Sequence, residues 1–401
     1  MRRDVGPADR GAGLRVVVAC DKFKECMTAA EANAAIAAGI RRAAPEADVD
    51  VVPMADGGEG TAEAMAAGGG RVIEREVTGP LPGSRTLGRI TLLADGETAV
   101  LDMASAAGIA LLAEADRDPT RTTSYGVGEL VRYATEMGCK HVVVGLGGSA
   151  TCDAGMGAAQ AVGLHVQTDA GPLNRPVTGA DLASIVNVDV PTLAHLPHRT
   201  RITCLCDVNA PLFGPNGAAW VYAPQKGATP EQVAQLDVAL ERLAGVCRRV
   251  AMAAEPGMGA AGGLGFGLAL AAKAELRPGV EAVADAYHLA QRLDGTQLCV
   301  TGEGRFDAQS LGGKVPHGVA RICAARDVPC VVISGSHADY AELEPALDTG
   351  VSAFFSIADG PADLKDLMAR GRALLSARAE QIMRFYLAAG SRAARVPTMV
   401  L

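Results

Sequence analysis

Aromatic side chains are scarce in this 401-residue chain: 3%, comprising seven Phe, six Tyr and the single Trp220. A groove for single-stranded nucleic acid relies on aromatic platforms for stacking, so that function class is disfavoured. Positive charge is also short. Lys and Arg total 37 against 45 Asp and Glu, a net of -8, which argues against a surface built to neutralise a nucleic-acid backbone. Long hydrophobic runs are missing, and none approaches the ~20 residues of a membrane span. Val17-Val18-Ala19-Cys20 looks like a lipoprotein cleavage box. However, Asp4, Asp9, Arg10 and Arg15 interrupt the roughly 7–15 apolar residues that a secretory leader needs. The ten cysteines contain no C-x-x-C pair, the seven histidines show no ligand spacing, and no G-x-S-x-G elbow is present. A reduced, cytoplasmic setting is expected, with Cys and Met as core filler.

What the chain has is apolar residues, 49%, and glycine, 48 of 401. The first affords a sizeable core; the second clusters in loops. Residues 1–13 read as a disordered leader. Leu14 to Ala19 reads as a buried parallel strand. After it comes Asp21-Lys22-Phe23-Lys24-Glu25-Cys26, then Thr28-Ala29-Ala30-Glu31, a capping box opening an Ala-rich helix that ends before Pro45. Val49 to Val52 and the loop Asp56–Thr61 repeat the strand-loop-helix unit. From Thr78-Gly79-Pro80 the pattern changes. Strands over 85–93 and 97–103 flank Asp95-Gly96, a hairpin turn signal. A helix over 126–137, strands over 141–146 and 202–206, a helix from Thr229-Pro230 and a glycine-rich stretch at 257–267 follow. From about Thr296 the first pattern returns, closing on a long helix over 362–387.

The expected fold class is α/β with two domains. Residues 14–77 and 286–390 share one parallel sheet, and 78–285 form a second α/β domain inserted between them. Ligands of such folds gather at the carboxyl ends of the strands.

Four loops follow apolar strands and combine glycine with charge: 21–26, 56–61, 145–153 and 302–307. Glycines let backbone N–H groups approach a phosphate. Carboxylates at strand ends can hold Mg²⁺. Lys22, Lys24 and Arg305 can neutralise a transferring phosphoryl group. Two motifs compete. Gly145-Leu146-Gly147-Gly148-Ser149-Ala150, with Asp169 roughly 20 residues on, fits a dinucleotide fingerprint and a dehydrogenase. Gly312-Gly313-Lys314 resembles the end of a Walker loop but fails it, because Val315 and Ala308 stand at its Ser/Thr and first Gly positions.

Taken in order, these segments resemble the bacterial glycerate kinase family. Ala19 to Lys24, Pro53 to Thr61, Thr122 to Leu130, Gly145 to Thr151, Cys206-Asp207-Val208, Pro224 to Ala228, Gly259 to Gly265, and Thr301 to Arg305 with Asp307 and Gly313-Lys314 carry the similarity, which spans about Leu14 to Arg378. The resemblance implies a Rossmann-like domain with an inserted second α/β domain. It also implies ATP-dependent phosphorylation of D-glycerate, normally to 2-phosphoglycerate, by an enzyme unrelated to the P-loop kinases. Gly147, Gly148, Ser149, Gly259, Gly262, Gly263, Gly302 and Gly304 are then candidates to line the ATP phosphates. Asp56 and Glu303 are candidates for Mg²⁺, with Asp207 competing. Asp21 or Asp207 would be the base, and Lys22 and Arg305 would act on the phosphoryl group or the substrate carboxylate. No nucleic-acid or membrane partner is implied, and a homodimer is compatible.

The chain departs from the family pattern in two places. Glu25-Cys26 replace Gly-Ser, and Cys152 and Ala154 replace Asn and Gly. These changes bear on substrate identity, and keep open a kinase of a related small hydroxy acid or a non-catalytic sensor of glycerate or nucleotide.

Overall fold

The computed structural model describes residues 13–57, 61–66, 70–189 and 200–393. Of the expected leader, residues 1–12 lie outside this range. The contacts divide the chain into two units, one made of 1–56 with 283–401, the other of 57–282.

The first unit is built on five parallel strands. Their order is Val351–Ser356, Cys330–His337, Leu298–Phe306, Arg15–Val18, Asp48–Val51. Val16, Val17 and Val18 are buried on both faces, as a central parallel strand requires. The Ala29–Ala43 helix starts where the sequence says. Thr28 accepts from the Glu31 N–H, and the Glu31 carboxylate accepts from the Thr28 N–H. Its apolar face, with Ile36 and Ile40, packs with Leu375, Ala379 and Met383 in one core. A Cβ on Gly39 would stand 2.1 Å from the Ser376 carbonyl, so only glycine permits that helix crossing. The chain reverses its direction of travel across the sheet between Arg15–Val18 and Leu298–Phe306, which makes their carboxyl ends a switch point.

The second unit holds a six-stranded mixed sheet. Its order is Glu275–Arg277, Arg201–Leu205, His141–Gly145, Thr98–Asp102, Arg85–Leu92, Arg71–Thr78. The first four are parallel and the last two antiparallel. The expected hairpin at Asp95-Gly96 is the Arg85–Leu92/Thr98–Asp102 pair. A small antiparallel sheet of Gly171–Pro172, His165–Thr168 and Ile185–Asp189 is added. Among the described residues, one core of this unit lies around Leu101, Leu130 and Val144 and another around Leu164, Leu240 and Phe266.

Three expectations need correcting. Residues 71–77 go with the second unit and not with the terminal segments, because Arg71–Thr78 pairs with Arg85–Leu92 at the edge of the second unit's sheet. Residues 302–306 are not a loop but the continuation of the Leu298–Phe306 strand, where Glu303, Arg305 and Phe306 are register partners of Ser334, Ser336 and His337. The long helix expected over 362–387 is broken at Arg370 into Leu364–Ala369 and Gly371–Ala393. A Cβ on Gly371 would stand 2.5 Å from the Cys26 sulfur.

Candidate active site

The switch point of the first unit collects charge. Asp21 follows the first strand, and its N–H donates to the Gly302 carbonyl at 3.0 Å. Its Oδ1 accepts from the Lys22 N–H at 2.7 Å. Asn33 fixes the residue before it, accepting from the Cys20 N–H at 3.1 Å and donating to the Cys20 carbonyl at 2.7 Å. Sequence reasoning missed Asn33, although a polar residue on the buried face of an Ala-rich helix is a usable signal. Asp21 is 7% exposed. Burial first, and then the negative charge of Asp56, push its carboxyl up to about 7; the Lys22 N–H and ammonium oppose the rise, and Glu303 adds to it.

Glu303 lies on the neighbouring strand, also 7% exposed. Burial pushes it up to about 7 as well, against a Ser310 hydrogen bond and the Lys314 charge, with Asp307 and Asp56 adding to the rise. Its Oε1 is buried with no hydrogen-bond partner. Asp21, Asp56 and Glu303 are therefore one electrostatic group; two of them follow strands and Glu303 lies on the strand adjacent to Arg15–Val18. Arg305 is 70% exposed and pairs with Asp307 at 3.2 Å. Asp307 in turn caps the Ala308–Leu311 helix, accepting from the Gln309 N–H at 3.0 Å. Of the two residues that act on Glu303, Ser310 was not singled out by sequence, and Lys314 was noted only within the Gly313-Lys314 segment, with no site role.

The second unit presents its own strand ends. The Gly147-Gly148-Ser149 loop follows His141–Gly145 and is partly exposed. It is held by Ile109 N–H to the Gly148 carbonyl, 2.9 Å, and Ala150 N–H to the Ala107 carbonyl, 2.9 Å. Asp207 follows Arg201–Leu205, and its Oδ1 accepts from the Gly279 N–H at 2.9 Å. Behind the loop lies a closed network. Asp153 is fully buried and accepts from the Ser124 N–H and hydroxyl, both at 2.7 Å, and from the N–H groups of Gly155 and Gly157. Buried Lys226 donates to the Thr151 carbonyl at 2.7 Å, and burial pulls its ammonium down to about 8.

Several of the candidate glycines are also needed for packing. A Cβ on Gly259 would stand 2.1 Å from the Pro211 carbonyl, one on Gly262 2.0 Å from the Thr151 carbonyl, and one on Gly263 2.6 Å from Ala154 Cα. The N–H groups of Gly259 and Gly263 already serve the Ala210 and Ala260 carbonyls. Gly302 sits inside a strand, with a Cβ 1.9 Å from the Ile333 carbonyl. These four glycines let protein backbone meet protein backbone. Gly304 is half-buried against Lys24 N; Gly147 and Gly148 lie in a partly exposed turn, and Ser149 is bridged to Gly108.

The dinucleotide reading loses its geometry. The helix after Gly145–Ala150 starts only at Met156, and Asp169 lies beside the small antiparallel sheet. The family departures also resolve. The Cys26 thiol donates to the Met368 carbonyl, and Cys152 is buried in the core with Leu212 and Phe266. Glu25 and Ala154, which stand where the family has glycine, have φ of 60° and 55°. They fill left-handed positions that glycine takes without penalty.

Residues 16–387 match the model of the Glycerate kinase family. The chain is 41% identical over 377 residues to the glycerate kinase of Haemophilus influenzae, covering 92% of this chain and 98% of that one. It is 39% identical over 348 residues to the glycerate 2-kinase of Escherichia coli K12, covering 86% and 90%. A crystal structure from Salmonella typhimurium LT2, of a protein provisionally named glycerate kinase 2, superposes with a TM-score of 0.83 at 39% identity, covering 94% of this chain and 99% of that one. The chain belongs to the glycerate kinase family.

Proposed function

We propose that the protein transfers the γ-phosphoryl group of ATP to the 2-hydroxyl of D-glycerate, giving 2-phosphoglycerate and ADP. The observation that carries this reading is Asp21, a buried carboxyl raised to about 7 beside two further carboxylates at a sheet switch point. A general base works best when its pKa lies near the operating pH. Asp21 takes the proton of the substrate hydroxyl; the oxygen attacks the γ-phosphorus; the bond from that phosphorus to the β-phosphate oxygen breaks, and ADP leaves. Lys22 and Arg305 neutralise the equatorial oxygens or hold the substrate carboxylate. Gly147, Gly148 and Ser149 offer backbone donors to the nucleotide phosphates.

The donor set fits a magnesium ion. Asp56 and Glu303 are hard oxygen ligands, and the Glu303 Oε1 has no protein partner. These two would hold it, and Mg²⁺ supplies charge neutralisation on the phosphates. Asp207 is given the lesser part of accepting from the first N–H of the Gly279–Ala286 helix.

Phosphorus NMR of a reaction with ATP, Mg²⁺ and D-glycerate tests this, with enolase added afterwards and no mutase. A 2-phosphoglycerate signal that enolase consumes is expected. A 3-phosphoglycerate signal would overturn the position. No phosphorylated product would overturn the substrate and favour a related hydroxy acid or a sensor.

A further inference from the structure

At the amino ends of the same strands, three cysteines converge. Cys299 is the second residue of Leu298–Phe306, and Cys330 opens the neighbouring Cys330–His337 strand as its register partner. Cys323 comes from the last turn of the Val315–Ala324 helix that packs over them. Their three sulfur atoms lie within 4.8 Å of one another, and all three residues are fully buried. Among the described residues, no other group of His, Cys, Asp and Glu meets in this way. All ten cysteines are free thiols.

We propose that Cys299, Cys323 and Cys330 form a three-sulfur binding site for a thiophilic d10 metal ion. Sulfurs held ~2.3 Å from one ion stand about 4 Å apart, so the trio needs only a small contraction. Three thiolates and no oxygen or imidazole donor select soft ions over magnesium and calcium. The ligands come from two strands and a helix, so the fold brings them together before any ion arrives. On binding, three S–H groups release three protons to solvent as three metal–sulfur bonds form. Access lies through the helix end. Ala324, Ala325, Arg326 and Asp327, which follow Cys323, are all exposed, so fraying of one turn uncovers the sulfurs. The site is distinct from the carboxylate group. Glu303 is four residues further along the Cys299 strand, roughly 13 Å at the strand rise.

The probe is Cd²⁺, titrated anaerobically into the reduced full-length protein. Ultraviolet sulfur-to-cadmium absorbance and native mass spectrometry are the readouts. A charge-transfer band saturating at one equivalent is expected, with one bound ion and three lost protons by mass. Cys323→Ala and Cys330→Ala should each abolish that first-equivalent phase while D-glycerate phosphorylation, if present in the parent, is unchanged. The single variants guard against a triple variant that fails to fold, and circular dichroism verifies each. A band that survives in both variants would place the ion on other cysteines and overturn the proposal. So would a folded wild-type protein that takes up no stoichiometric Cd²⁺.

Discussion

The two units bury their carboxylates in opposite ways. In the second, Asp153 is wholly enclosed but receives four protein donors, from Ser124, Gly155 and Gly157. Burial still raises its pKa, and those hydrogen bonds oppose the rise. In the first, Asp21 and Glu303 are nearly as buried and crowd a third carboxylate, and Glu303 Oε1 is left unpartnered. A buried charge with every lone pair engaged is scaffold, and it shapes the Thr151–Gly157 loop. Buried charges that repel one another are costly to keep and are reserved for chemistry.

Asp21→Asn puts the largest stress on this contrast. Turnover should fall by roughly 10²–10⁴-fold, the usual weight of a general base, as read by initial rates of product formation at pH 8. Stability should move oppositely in the two units. A folded pKa of about 7 against an ordinary 3.8 means that the native state holds this proton more tightly than the unfolded state. The contribution is present at low pH and is lost as pH rises from about 4 to about 7. Asp21→Asn should therefore stabilise the protein above pH 7, by on the order of a few kcal/mol. Asp153→Ala strands several buried donors and should destabilise by about 2–4 kcal/mol. Urea unfolding at pH 8 measures both, and two changes of the same sign would break the comparison.

A smaller effect sharpens it. Ala154 and Glu25 hold left-handed backbone at φ of 55° and 60°, one in each unit. Ala154→Gly and Glu25→Gly should each stabilise by ~1 kcal/mol in thermal unfolding, by removing the Cβ penalty. Neither should move the turnover number by more than about twofold.

Much of the fold is legible in the sequence. Val16–Val18 and Val142–Val144 read as strands from their unbroken apolar runs, which are covered on both sheet faces. Thr28 and Asp95-Gly96 mark a helix start and a hairpin by their own local chemistry. The unit boundary was illegible, because Arg71–Thr78 is an edge strand exposed at Arg71, Val72, Glu74, Arg75 and Glu76. It carries no buried-run signal. The clustering of Asp21, Asp56 and Glu303 was readable, since each follows or lies on an apolar run. The packing of the glycines was not. Glycine reports that something comes close, without saying whether it is a phosphate or the Thr151 carbonyl, and at Gly262 it is the carbonyl.

The most direct test is the pH dependence of kcat/KM for D-glycerate, which reports the free enzyme's essential groups. The account predicts a rate that falls as pH drops through about 7, following Asp21. It also predicts that Asp56→Asn, whose residual turnover is measured the same way, moves that limb to lower pH by removing the larger of the two repelling charges. A wild-type profile flat from pH 5 to 8, or a limb that Asp56→Asn leaves in place, would contradict it.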